Sequence, residues 1–165
     1  MIIVLITGES GSGKSTIVNT LYHKYPDLYN IIKSYTTRKQ RNNNDTDHTF
    51  INSKDDISNQ TLVAETMIDD NFYGATLEQF TDDSINLYIV DDKGIVDTID
   101  FFDRGVKIIT VKIVRNNINV DDDRKNRKID RFYSNFDYVL DNNGGLQSVV
   151  NTLHNIIETE CKMRR

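Results

Sequence analysis

The chain alternates between unbroken apolar runs and segments in which apolar residues recur every three or four positions. These two periods separate buried strands from amphipathic helices. Ile2–Thr7 is a continuous apolar run, as expected of a strand buried on both faces. Lys14–Lys24 has helical spacing and stops near Pro26. Ile31–Tyr35 reads as a short strand. Ser53, with Asp56 three residues on, is an N-cap signal for a short helix to about Asn59. Leu62–Ile68 reads as a strand, followed by an Asp69-Asp70-Asn71 turn. Leu87–Asp91 is a strand, Gly94–Phe102 a helix and Val106–Val114 a strand. Acids at Asp121–Asp123 suit the first turn of a helix running to about Phe132. Tyr138–Leu140 is a short strand, and Leu146–Cys161 is an amphipathic closing helix. This alternation predicts an α/β fold: an open parallel sheet with helices on both faces.

Composition narrows the class. A length of 165 residues, with 38% hydrophobic and 27% charged, fits one globular domain and excludes a disordered or collagen-like chain. No window approaches the roughly 18 consecutive apolar residues of a membrane span. The apolar start lacks a basic flank and runs into a glycine-rich loop, so it does not read as a signal peptide. The one cysteine, Cys161, cannot build a disulfide framework, which suits a cytoplasmic location.

Charge is informative in its distribution. The net value is −5, yet residues 33–41 carry Lys33, Arg38, Lys39 and Arg41 with no acid. Residues 124–131 carry Arg124, Lys125, Arg127, Lys128 and Arg131 against Asp130. Residues 42–103 hold 15 acids and 2 lysines. Two short cationic islands in an acidic chain suggest local anion sites or two solvated basic faces. They lack the interleaved aromatics of a nucleic-acid surface.

The strongest motif is Gly8-Glu9-Ser10-Gly11-Ser12-Gly13-Lys14-Ser15, with Thr16 next, a full match to the phosphate-loop pattern. An apolar strand precedes it and a helix follows, so backbone N–H groups and a helix N-terminus face one anion. Lys14 would reach the terminal phosphates of ATP, and the Ser15 hydroxyl would ligate Mg²⁺. Asp91, ending an apolar strand, could hold Mg²⁺ through water or could cap the next helix. A guanine-reading Asn-Lys-x-Asp segment is absent, which makes a GTPase a poor fit.

At Ser34-Tyr35-Thr36-Thr37-Arg38-Lys39-Gln40-Arg41 the chain resembles the guanylate kinase family of nucleoside monophosphate kinases. The resemblance continues in colinear order through Asp47-His48-Thr49-Phe50, Glu65, Phe72-Tyr73-Gly74, Asp91-x-x-Gly94 and Phe136–Asn142. It implies a single P-loop NTPase-type domain over 1–165, in a short phage- or bacterial-type form. The core would take about 1–32 and 80–165, an acceptor-nucleotide insertion about 33–79, and a short helical lid about 116–132. Arg38 and Arg41 would grip the acceptor phosphate with planar bidentate forks. Ser34 would help hold the acceptor, Glu65 would face the base, Tyr73 would add a phosphate hydrogen bond and Asp91 would contact the acceptor nucleoside. A carboxylate suits the N1–H and 2-NH₂ edge of guanine, which adenine lacks. In the lid, Arg124 would meet ATP while Arg127 and Arg131 would act with Lys14 and Arg38 in catalysis; the alternative is an ordinary basic helix face. Asn142 falls in the donor-base region or serves a turn.

Three departures qualify the resemblance. His48 stands where the family has a phosphate-binding Tyr, Ala75 stands where a hydroxyl helps read guanine, and the lid is compact. The first two loosen strict guanine specificity, with the adjacent Thr76 an open substitute for Ala75. The implied activity is phosphorylation of GMP or dGMP by Mg-ATP. Another deoxynucleotide acceptor and a non-catalytic binding module are the rivals. The implied partners are small nucleotides, with no nucleic acid and no membrane, for a monomer or dimer.

Overall fold

The computed structural model describes residues 1–43, 45–102, 105–116 and 133–162. The expected helix from Asp121 and the lid arginines Arg124, Arg127 and Arg131 lie outside the described residues.

Nine strands are described in this structure: β1 (Ile2–Thr7), β2 (Tyr29–Ile32), β3 (Tyr35–Thr36), β4 (Thr49–Phe50), β5 (Leu62–Ile68), β6 (Asn71–Thr76), β7 (Ile85–Ile89), β8 (Lys107–Val114) and β9 (Tyr138–Asp141). The helices are α1 (Lys14–Lys24), α2 (Asp92–Phe101) and α3 (Leu146–Lys162). A five-stranded sheet runs in the order β2-β7-β1-β8-β9, with every pairing parallel. A second sheet of four strands, in the order β4-β3-β6-β5, is mixed.

β1 explains why the first sheet needs cover on both faces. Val4 and Ile6 point to one side, against Ile17, Val18 and Leu21 of α1 and Val149, Leu153 and Ile157 of α3. Ile3 and Leu5 point to the other, among Ile32, Tyr88, Ile95 of α2, and Val63, Ala64 and Ala75 of the second sheet. All four β1 residues are fully buried, so strand alternation here separates two cores. No helix of the described residues is long and apolar enough to cross a membrane.

Three local features depart from the sequence expectation. Ile31–Tyr35 is not one strand: β2 ends at Ile32 in the first sheet and β3 begins at Tyr35 in the second. The chain therefore changes sheets at Lys33-Ser34. The segment after Ser53 is a single 3₁₀ turn, Lys54–Ile57, held by a Ser53–Asp56 capping box. β6 closes a hairpin with β5, its turn formed by Asp69 and Asp70 at φ 49° and 60°.

Candidate active site

The phosphate loop joins the end of β1 to the start of α1, against β8 and β9. Gly8 has φ 147°, and a Cβ there would lie 2.3 Å from the Ile113 carbonyl oxygen. Gly13 has φ 95°, and a Cβ would lie 2.4 Å from Asn142 Nδ2. Both positions demand glycine for backbone conformation and close approach together. Asn142 Nδ2 donates to the Ser12 carbonyl at 2.8 Å, and the Asn142 amide donates to the Val114 carbonyl at 2.9 Å. Asn142 is thus a brace beneath the loop. Gly13 caps α1 without a side chain, which leaves the first helical amides open toward an anion.

Lys14 Nζ curls back over the loop to the carbonyls of Gly8 and Glu9, at 2.7 and 2.8 Å. Burial pulls its ammonium down to about 8, against the opposing effect of the Glu9 and Asp47 carboxylates. The Ser15 hydroxyl donates to Asp47 Oδ2 at 2.8 Å. That geometry occupies the hydroxyl hydrogen and leaves oxygen lone pairs for a hard cation, so the donor set fits Mg²⁺.

Asp47 belongs to the loop before β4, and its neighbours form a second cluster. Arg38 makes a bidentate pair with Asp45, Nη1 to Oδ2 at 2.8 Å and Nη2 to Oδ1 at 3.3 Å. Its guanidinium lies 5.2 Å above the Phe50 ring. The Arg41 amide donates to the same Asp45 Oδ2 at 3.1 Å. His48 packs edge-on to Tyr73, with ring centroids 5.4 Å apart. Burial first, then the positive charge of Arg38, pushes the His48 pKa down. Arg38 Nε and His48 Nδ1 are buried with no hydrogen-bond partner, a rare and costly state for polar atoms. Both atoms belong to the cluster that gathers Arg38, Arg41 and His48 near Asp45 and Asp47.

Four expected acceptor residues remain: Ser34, Glu65, Ala75 and Asp91. Ser34 is nearly buried, and its hydroxyl acts on the buried Tyr88 phenol. Glu65, on β5, carries an exposed carboxylate in direct contact with Lys54 Nζ. Ala75 is fully buried within the core on the α2 side. The Thr76 hydroxyl donates to Gln60 Oε1 at 2.7 Å, so it is already engaged. Asp91 Oδ1 accepts from the Gly94 amide at 2.8 Å and caps α2. Its neighbour Asp92 is the one that faces the loop, 3.4 Å from the Thr7 hydroxyl.

Sequence pattern gave no role to Asp45, Asp47, Lys54 or Arg115. A pocket beside the loop is lined by Gly13, Thr16, Arg115, Asn142 and Gly145, which makes Arg115 a candidate for the donor side. Its position just past the end of β8, a strand parallel to β1, was the available signal.

A family model described as guanylate kinase matches residues 1–84. The curated guanylate kinase of Helicobacter hepaticus is 31% identical over 100 residues, covering 56% of this chain and 50% of that protein. The match thus spans half the length of that curated relative. The crystal structure of guanylate kinase from Anaplasma phagocytophilum aligns with a TM-score of 0.70 at 18% identity. That alignment covers 96% of this chain and 85% of the other, a likeness of fold.

Proposed function

The chain belongs to the guanylate kinase family, and from that premise we propose that it transfers the γ-phosphoryl of ATP to GMP or dGMP. The observation that carries this reading is the cluster of Arg38, Arg41 and His48 around Asp45 and Asp47, with Asp47 tied to the phosphate loop through Ser15. A kinase acting on a nucleotide must bring two anions together. One anion site is the loop; this cationic cluster supplies the other.

In this reading ATP lays its phosphates along the loop amides, and Lys14 leaves the Gly8 and Glu9 carbonyls to meet them. Mg²⁺, held by Ser15 when bound with ATP, would neutralise phosphate charge. The acceptor phosphate sits against Arg38, Arg41, His48 and Tyr73. It is ionised at neutral pH, so no general base is required, and catalysis rests on positioning and charge neutralisation. Glu65 accepts from N1–H and the 2-NH₂ of guanine. Arg127 and Arg131 would complete the charge shell around the transferring phosphoryl, with Arg124 on the ATP side. The intact loop weighs against a purely non-catalytic module.

The test is ADP release with Mg-ATP across a panel of NMPs and dNMPs, with Lys14→Ala as control. Turnover is expected with GMP or dGMP and lost in the variant. No acceptor-dependent turnover with any of them overturns the kinase reading.

A further inference from the structure

Resting on the guanine reading above, we propose that Lys54 is a specificity-determining residue that donates to the O6 carbonyl of the acceptor base. Guanine presents three groups in a row on its pairing edge: the O6 acceptor, the N1–H donor and the 2-NH₂ donor. Two carboxylate oxygens of Glu65 match the last two. Something must donate to the first, because a buried carbonyl left unpaired costs binding.

The two positions at which a base-reading hydroxyl is expected do not supply one. Ala75 has none and is fully buried in the core. Thr76 gives its hydroxyl hydrogen to Gln60. Lys54 Nζ, by contrast, touches Glu65 Oε2 directly and lies 5.6 Å from the Phe72 ring centroid. Its backbone is fixed at the first position of the 3₁₀ turn that the Ser53–Asp56 capping box holds. Lys54 and Glu65 together therefore present donor, acceptor, acceptor. Cytosine presents that same row to guanine in a base pair. Adenine would set its N1 acceptor against a carboxylate, and its 6-NH₂ against an ammonium.

An ordinary solvent-facing ion pair is the competing account, since both side chains are about half exposed. A substrate–residue cycle separates the two. GMP and 6-thio-GMP, in which sulfur replaces the O6 acceptor with a weaker one, are titrated calorimetrically into the wild type, Lys54→Met and Lys54→Arg. A charge-assisted hydrogen bond predicts that Lys54→Met weakens GMP binding by about 10- to 100-fold. The wild type should favour GMP over 6-thio-GMP, Lys54→Met should favour neither, and Lys54→Arg should restore part of the preference. Thermal unfolding checks that the half-exposed substitution leaves the fold intact. Equal discrimination in the wild type and Lys54→Met, or none in the wild type, overturns this role for Lys54 and leaves the kinase reading standing. Failure of the wild type to bind GMP or dGMP overturns both.

Discussion

The Ser15 hydroxyl donates to Asp47 Oδ2 across 2.8 Å, linking the phosphate loop to a segment 32 residues later. The segment also carries His48, so one carboxylate lies between the proposed metal ligand and the proposed acceptor-phosphate site. With its hydrogen on Asp47, the Ser15 oxygen keeps its lone pairs for a cation.

Asp47→Ala should therefore raise the Mg²⁺ concentration needed for half-maximal ADP release. Asp47→Asn retains an acceptor oxygen and should have the smaller effect. The contact is exposed, so its loss should cost stability no more than about 1 kcal/mol. An unchanged Mg²⁺ dependence in Asp47→Ala would show that Asp47 does not position Ser15.

Lys14 gives a pH dependence whose sign can be worked out. Burial lowers its folded pKa to about 8, below the ordinary lysine value near 10.4. Between those values the unfolded chain binds more protons than the folded one, so stability should rise with pH through that window. ATP needs the charged ammonium. Above about pH 8 binding must take up a proton, and affinity should fall by up to about tenfold per pH unit. Calorimetry in buffers of different ionisation enthalpy measures the uptake. Lys14→Ala should abolish it, and equal uptake in the variant would assign the proton elsewhere.

Legibility in the sequence followed the range of the interactions. The loop and α1 were readable because strand, glycines, lysine and helix are contiguous, and the Lys14–Lys24 bounds match the observed helix. Strands β1, β7, β8 and β9 of the five-stranded sheet were readable because they centre on apolar residues. β6 was not, since Asn71–Thr76 mixes polar residues and a glycine, and its strand character comes from pairing with β5. The break between β2 and β3 was invisible for a related reason: both halves favour extended backbone, and only tertiary context assigns them to different sheets. Asp45 and Lys54 carry no local signature, and Asp47, though it lies in a motif of the resemblance, had no role assigned. They matter because folding sets them against Arg38, Ser15 and Glu65.

Asn142 tests the loop from below. Its amide group holds the buried Ser12 carbonyl, and Gly13 lies close enough to exclude any Cβ. Asn142→Ala removes the donor and leaves that carbonyl unpaired, which should cost about 1–3 kcal/mol in urea unfolding. Gly13→Ala meets both the Asn142 side chain and an unfavourable positive φ. It should weaken ATP binding as well as stability. Wild-type ATP affinity in Gly13→Ala would contradict the loop geometry described here.

Asp45 holds Arg38 by a pair that is nearly withdrawn from solvent, with side chains 9% and 11% exposed. The Arg38 guanidinium keeps the Asp45 carboxyl below its ordinary range, through the side-chain hydrogen bond first, while burial acts the other way. A depressed folded pKa means the pair stabilises fully above the unfolded carboxyl value, near 3.9, and fades as pH falls through the folded one. Asp45→Ala should cost about 2 kcal/mol at neutral pH, the scale of hydrogen bonds to a charged group. The difference from wild type should shrink on acidification below pH 4. Arg38 would also lose its orientation, so KM for the acceptor should rise more than kcat falls. Urea midpoints at several pH values, beside acceptor saturation curves, read both effects. A stability difference that stays constant down through the acid range would show that the Asp45 charge is not what holds Arg38.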